Sequence, residues 1–467
     1  MALKNNSFLK NFSILTAGEA TTHAINMFTS IYLARLLSPT CYGEYSLLIT
    51  YITLFCTISS LGLRQIVIRT IARNQDNSRG IFLCSILLRI YGYIIGVASF
   101  LVYNWFFPLG FSNYMVLMLL TGIFAQSFWD AFQNVAFGMQ RVGWISIINV
   151  FFAFIILLIY MILPNNQTNL VSIVTIYVIC NFLKDVVSVF CLFKAKLLTC
   201  KKEKELQIKA LSMLKESFPF YFLSIFTMFS TQVPVIFLEQ NSTIEEVAYF
   251  NTANKLLLPM TMLVNTALAA FFPNQAQLYA KDNNAFNDQT KKSFVFIAFC
   301  SSFLAILITI FRKEFILLLY GYKYINTSEV MAFQCWYLAM YTIFCFIGSA
   351  MAAADKQNLL SVCSVIYAIV CVPFLYCGTY YGAKGLAVSY ILASLINMTY
   401  HYYYFNKIIG HRLDKTFTAK VFGSLMFTFF AAYSISLLSL GYRIIIALAI
   451  IFILYKSNFI KKILVKA

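Results

Sequence analysis

Apolar residues come in long unbroken blocks with short polar stretches between them. Val150–Leu163 and Phe294–Phe311 carry no charged side chain at all. Such blocks match the roughly 20 residues a helix needs to cross a bilayer, and they lack the ~10-residue alternation of a membrane β-barrel. In lipid, backbone polar groups must be satisfied within the segment, so an all-α polytopic membrane protein is expected. The pattern predicts helices over Phe12–Leu33, Tyr45–Leu63, Ile81–Trp105, Tyr114–Phe137, Trp144–Leu163, Leu170–Phe193 and Phe218–Leu238. It predicts a second set over Val247–Phe272, Ser293–Phe311, Val330–Ala352, Leu359–Tyr380, Leu386–Phe405, Val421–Leu440 and Gly441–Ile460. This gives 12–14 transmembrane helices, the last two being separated only by a tight turn. The domains expected are a six-helix bundle at 1–200, an amphipathic linker at 201–216, a second six-helix bundle at 217–410, and two further helices at 411–467.

Composition agrees and then adds charge. Of 467 residues 61% are hydrophobic and 11% charged, yet Lys and Arg number 35 against 17 Asp and Glu, a net charge of +18. A basic excess first suggests nucleic acid. Its placement argues against that partner. With a cytoplasmic N-terminus, 26 of the 35 cations fall in inner segments, 6 in outer ones, and 3 (Arg89, Lys184, Lys255) inside helices. This positive-inside bias predicts both termini in the cytoplasm. Arg312, Lys313 and Lys323 go against the trend, clustering in an outer loop around Phe315–Tyr320, which reads as an interfacial helix. The linker carries Leu206, Ile208, Leu211 and Leu214 among lysines, the pattern of a helix lying on a membrane surface.

Chemical motifs are sparse. The twelve cysteines form no CxxC pair and no zinc spacing, so they read as packing residues. There is no GxxxxGK[ST] loop, no HExxH and no GxSxG, so neither an enzyme nor a resident cofactor is expected. The N-terminus shows no cleavage signal and reads as the first transmembrane helix.

A weak repeat joins the halves. Ser38-Pro-Thr-Cys-Tyr-Gly-Glu-Tyr45 follows the first helix and Ser242-Thr-Ile-Glu-Glu-Val-Ala-Tyr249 the seventh, as in transporters built from repeats. Polar side chains inside membrane helices usually face a cavity or a partner. Glu19, His23 and Asn26 share one face of the first helix, as do Gln126, Asp130 and Gln133 on the fourth. Asn251, Asn254, Lys255 and Asn265 lie close to one stripe of the eighth, and Arg89 is mid-span in the third. Arg89 and Asp130 read equally as a structural ion pair or as cavity residues. Lys184 and Asp185 read as interfacial residues whose stems snorkel. Pro219, Pro234 and Pro259 make helices seven and eight natural places to bend.

Several motifs resemble a known family. They are Asn11-Phe-Ser-Ile-Leu-Thr-Ala-Gly-Glu19, Leu33-Ala-Arg-Leu-Leu-Ser-Pro39, Tyr42-Gly-Glu-Tyr45, Leu61-Gly-Leu63 and Ile68-Arg-Thr-Ile-Ala-Arg73. Further along come Phe132-Gln-Asn-Val-Ala-Phe-Gly-Met-Gln-Arg141, Glu216-Ser-Phe-Pro219, Ala248-Tyr-Phe-Asn-Thr-Ala-Asn-Lys255 and Phe272-Pro273. In this order and spacing the chain resembles the Wzx-type O-antigen and polysaccharide flippases of the multidrug/oligosaccharidyl-lipid/polysaccharide (MOP) exporter superfamily, from about residue 8 to residue 410. Family members often have Leu-Gly-Pro where this chain has Leu37-Ser-Pro39.

The resemblance implies two pseudo-symmetric six-helix bundles around a central cavity, with helices 13 and 14 accessory. It implies an undecaprenyl-pyrophosphate-linked glycan as cargo, flipped across the bacterial inner membrane, and a polysaccharide polymerase with its chain-length machinery as partners. On that basis Lys255 and Arg89 are the expected phosphate contacts. Asn251, Asn254, Asn26 and Gln126, with the face of Trp129, suit sugar hydroxyls. Glu19, His23 and Asp130 are candidates for a coupling H+ or Na+. Two other readings stay open: a drug/cation antiporter of the same superfamily, and an integral-membrane glycan polymerase or ligase.

Overall fold

The computed structural model describes residues 2–73, 75–164, 169–194, 206–354, 356–408 and 415–456, and among these every regular element is helical. Assignments at 195–205, 409–414 and 457–467, including the first residues of the linker and the end of the last helix, lie outside the described residues.

Contacts divide the chain into two compact units, Met1–Glu239 and Gln240–Ala467. The first holds α1 (Ala2–Leu36), α2 (Pro39–Ser59), α3 (Leu63–Arg73), α4 (Ser78–Phe106), α5 (Asn113–Gly138), α6 (Val142–Ile162), α7 (Leu170–Lys194) and α8 (Leu206–Thr231). Helix α9 (Val233–Asn241) runs into the second unit, which holds α10 (Ile244–Lys281), α11 (Asn283–Ile310), α12 (Arg312–Leu319), α13 (Thr327–Ala353), α14 (Gln357–Thr379), α15 (Gly382–Ile408), α16 (Lys415–Ile435) and α17 (Leu440–Lys456). The units part between Glu239 and Gln240, whereas the linker at 201–216 suggested an earlier boundary.

The repeat seen weakly in the sequence is plain in the packing. In the first unit α2 packs on α4, α5 and α7, α5 packs on α4, α6 and α7, and α6 on α7. In the second, α10 packs on α11, α13 and α15, α13 on α11, α14 and α15, and α14 on α15, the same seven pairings in the same order. The two similar loop sequences are both helix starts. Ser38 caps α2 by accepting from the Cys41 amide at 3.2 Å, and Thr243 caps α10 by accepting from the Glu246 amide at 3.4 Å. The second cap falls one residue later than the sequence similarity places it.

Nine helical segments among the described residues are long and apolar enough to cross a membrane, and the chain is a multi-pass membrane protein. Helices α1, α10 and α15 are not among them; α1 and α15 carry polar residues such as Glu19, His23, Asn397 and His401. They keep the length, at 35, 38 and 27 residues.

Two predicted helices are broken. The second stops at Ser59, and Leu61 and Gly62 take positive φ (50° and 66°) before α3 begins. A Cβ on Gly62 would lie 2.3 Å from the Tyr221 amide nitrogen of α8, so only glycine allows this approach. The seventh is interrupted between Thr231 and Val233, so Pro234 falls in the first turn of α9, where its missing N–H has no helical partner to lose. Pro219, by contrast, sits inside α8, and Pro259 inside an unbroken α10. The linker is not a separate surface helix: residues from Leu206 onward belong to α8, with Ala210 and Met213 buried and Leu211 exposed.

Candidate functional site

In the first unit Arg89 is 1% exposed near the middle of α4. Its guanidinium donates to the Ser127 carbonyl at 2.5 Å and stands 3.9 Å from the Asp130 carboxylate, while Nε has no partner among the described residues. The burial follows from two glycines one turn apart. A Cβ at Gly92 would meet the Ser59 carbonyl oxygen at 2.1 Å, and one at Gly96 the Ser59 Oγ at 2.0 Å. Small residues at this spacing let α4 lie backbone to backbone on α2. Arg89 therefore serves the interior of the bundle in this conformation and does not offer its fork to a ligand.

Lys184 and Asp185 also differ from expectation. Asp185 is 5% exposed, and neither carboxylate oxygen has a hydrogen-bond partner among the described residues. The Lys184 ammonium lies 4.3 Å from the centroid of the Trp129 ring. Trp129 is buried under it, so its face is not open to a sugar. Arg64 and Lys184 add their charge to that of Arg89 around Asp130, and Asp130 with Lys184 acts on Asp185. The sequence placed Arg89, Asp130 and the Lys184–Asp185 pair on three helices and Arg64 in an inner segment. The fold gathers them into one intramembrane cluster, as buried charge requires.

Glu19, His23 and Asn26 do share one side of α1. Glu19 and Asn26 are exposed and His23 half-buried, while Gly18 presses on Ser146 of α6. Among the described residues no ion pair joins Glu19 or His23 to the Asp130 cluster. Gln126 is half-buried on α5.

In the second unit the start of α10 is buried all round at Val247 to Phe250, and Ala253 and Leu257 continue one buried stripe. A different stripe presents Asn254, exposed, with Asn251 and Lys255 half-buried, one and two turns beyond the buried Val247 and Ala248. Asn251 donates to the Val247 carbonyl one turn back at 3.1 Å, which leaves its amide oxygen facing outward chemistry as an acceptor. The Asn265 side chain lies outside the described residues. This face is a cation beside two amides, a set suited to phosphate oxygens and sugar hydroxyls.

The sequence missed an ion-pair system around α12. Arg312, 1% exposed, donates to Glu329 at 2.8 Å and to Ser436 at 2.8 Å, and lies 4.5 Å from the centroid of the Tyr433 ring. Arg443 forms a two-pronged pair with Glu314 at 2.7 and 2.8 Å. The short helix expected at Phe315–Tyr320 exists, as α12. Part of the signal was present: Arg312, Lys313 and Lys323 have Glu314 and Glu329 as near neighbours in sequence, whereas Lys384 and Arg443 are brought to them only by the fold.

Residues 8–279 match the family described as polysaccharide biosynthesis protein. The chain belongs to that family. Among solved structures, the lipid II flippase MurJ in an inward closed conformation aligns with 13% identity and a TM-score of 0.72, over 96% of this chain and 99% of MurJ. An inward-facing multidrug resistance MATE family transporter of the MOP superfamily aligns with 12% identity and a TM-score of 0.64, over 83% and 95%. A MOP superfamily transporter from Pyrococcus furiosus, whose binding pocket is described as having reversed polarity, aligns with 11% identity and a TM-score of 0.59, over 86% and 96%. No curated protein matches the chain. The family is that of polysaccharide biosynthesis proteins, and the fold is shared with MurJ and with MATE transporters of the MOP superfamily, consistent with the resemblance to Wzx-type flippases.

Proposed function

We propose that this protein flips an undecaprenyl-pyrophosphate-linked oligosaccharide, the repeat unit of an O-antigen or other surface polysaccharide, from the cytoplasmic to the periplasmic leaflet of a bacterial inner membrane. The observation that carries the reading is the family match over residues 8–279, joined to a fold shared with a flippase of lipid-linked glycan. Both termini are cytoplasmic in this reading, since 26 of the 35 cations then face the anionic inner leaflet.

The cargo problem is to move a pyrophosphate and sugars across ~30 Å of hydrocarbon while the tail stays in lipid. Lys255, with Asn251 and Asn254, supplies a cation and amide groups on one face of α10 and is the first-choice contact for the pyrophosphate. Rocking of one repeat against the other gives alternating access. H+ or Na+ coupling falls to carboxylates that lie within membrane helices, Asp130 with its cluster and Glu19 beside His23. The basic and amide character of the α10 face favours an anionic glycan lipid over the cationic substrate of a drug antiporter. Complementation of a flippase-null strain tests the reading. Restored surface glycan supports it, and a folded, membrane-inserted protein that restores none, or that exports a cationic dye instead, sinks it.

A further inference from the structure

The second unit contains a cavity of about 240 Å³ enclosed by α10, α11 and α13. Met260 and Val264 come from α10, Phe296 and Leu304 from α11, and Leu338 and Ala339 from α13. It lies apart from the α10 face that carries Asn254 and from the ion pairs around α12, and the proposed transport of a glycan does not use it.

Its few polar lining groups are already occupied. The Ser301 hydroxyl donates to the Ala298 carbonyl at 3.2 Å, the Thr342 hydroxyl to Leu338 at 2.8 Å, and the Cys335 thiol to Ala332 at 3.1 Å. Each of these bonds stays within its own helix, so apart from the Cys300 thiol at the edge the described walls present hydrocarbon and aromatic surface. A buried water needs two to four polar partners, and this lining does not supply them. Apolar cavities of ~150 Å³ stay dry and accept small hydrocarbons such as benzene. This one is larger.

The cavity also has a direction. Ala339 is buried at its floor, whereas Cys300 of α11 is exposed at its edge. Cys300 lies well inside the membrane span Asn284–Ile310. At 1.5 Å per residue it is about 10 Å from Ser293, where the apolar stretch begins, and about 15 Å from Ile310. The opening is therefore at the depth of the hydrocarbon core, away from either headgroup layer.

We propose that this cavity binds one hydrocarbon chain of a lipid, entering past Cys300 and reaching toward Ala339. The chain comes from one of two sources with the same chemistry, a polyprenyl tail or a phospholipid acyl chain. The site stands on the cavity alone and does not require that the cargo be a glycan lipid.

The test uses the full-length protein in membranes and two photoactivatable probes. One is a polyprenyl phosphate with a diazirine in its isoprenoid chain, and the other a phosphatidylethanolamine with a diazirine in an acyl chain. After photolysis, labelled peptides are mapped by mass spectrometry in the native protein, in Ala339→Phe, and in Leu304→Phe, which narrows the cavity from a different wall. Retained thermal unfolding identifies the filled variant that is folded. The expected result is labelling of the peptides bearing Cys300, Leu304 and Leu338, reduced about tenfold in a folded filled variant, as follows from excluding two or more methylenes. Labelling on the exposed face of α4, at Val102 and Phe106, stays unchanged. Preference for the polyprenyl probe assigns the site to an isoprenoid tail, and preference for the acyl probe to a bilayer lipid; either supports it. Absence of label in the lining peptides with both probes, or labelling that persists undiminished in a folded filled variant, overturns the proposal.

Discussion

The Arg312 guanidinium meets the Glu329 carboxylate at 2.8 Å in a site where the arginine is 1% exposed. The same carboxylate accepts from the Tyr433 hydroxyl at 3.0 Å and from Lys384 at 3.4 Å. One acidic residue at the start of α13 thus ties together α12, α15 and α16. Three of the six cations that went against the positive-inside pattern, Arg312, Lys384 and Arg443, are neutralised by Glu329 and Glu314.

Glu329→Gln is expected to lower stability by about 2–4 kcal/mol, because it leaves Arg312 buried without its counter-charge. The figure is below the fully buried range, since Glu329 is a third exposed. Arg312→Met in the same chain is expected to recover most of the loss. Thermal unfolding in detergent reads both variants. Equal stability of Glu329→Gln and the native protein would show that the pair is dispensable.

Gly62 and Gly110 form a natural control pair. Their φ values are nearly equal, 66° and 65°, but a Cβ on Gly62 would strike the α8 backbone, whereas nothing lies within 4 Å of one on Gly110. Gly110→Ala is expected to cost only the ~1–2 kcal/mol of a left-handed alanine. Gly62→Ala adds a backbone overlap that no rotamer can relieve, so a sharp drop in folded protein is expected. Size-exclusion profiles of the two variants expressed side by side make the comparison, and similar profiles would contradict the packing described.

Much of the fold was legible because hydrophobic block length alone reports membrane helices: the third to sixth and tenth to twelfth predicted helices match α4–α7 and α13–α15 within four residues at each end, whereas α1, α8, α10 and α11 run about 9–12 residues past the predicted ends through more polar sequence. The motifs behind the family resemblance also have a physical meaning that the sequence did not show. Gly62 meets Ser217 and Tyr221, Arg69 pairs with Glu216, and Gly138 packs on Ile71, so separate motifs close on one another at one end of the first unit. The site was less legible. Helical spacing identified which polar residues share a face, but not whether that face looks inward or outward. Arg89 and Lys255 look alike in sequence, each a cation near mid-helix. Glycines at 92 and 96 close α4 over the first, whereas the second is half-buried on α10.

That difference separates the effects of two substitutions. Lys255→Ala is expected to leave protein level and unfolding temperature near native while reducing surface-glycan display about 10–100-fold, the loss of one charge-assisted contact to phosphate. Lys255→Arg is expected to keep most of the activity. Arg89→Ala is expected to act on the fold: it empties the space between α4 and α5 and leaves the Asp130 carboxylate without its nearest counter-charge, so protein level falls before any transport defect can be read. Immunoblotting with a complementation assay distinguishes the two, and glycan display at native level by Lys255→Ala would remove Lys255 from the substrate path.

Asp185 gives the opposite relation between stability and activity. Its buried carboxylate has neither oxygen hydrogen-bonded among the described residues, a state that costs free energy and persists in proteins mainly where it serves function. Asp185→Asn keeps the shape and removes the buried charge, while Lys184 keeps its position over Trp129 and the charge of Asp130. The variant is expected to unfold at a higher temperature than the native protein, by an amount corresponding to about 1 kcal/mol. If the Asp130 cluster carries the coupling ion, the same variant loses the dependence of glycan flipping on an imposed proton or Na+ gradient. Measured in proteoliposomes, higher stability with gradient dependence intact would reduce Asp185 to a structural residue. Lower stability would show instead that its charge is compensated within the cluster more fully than its missing hydrogen bonds indicate.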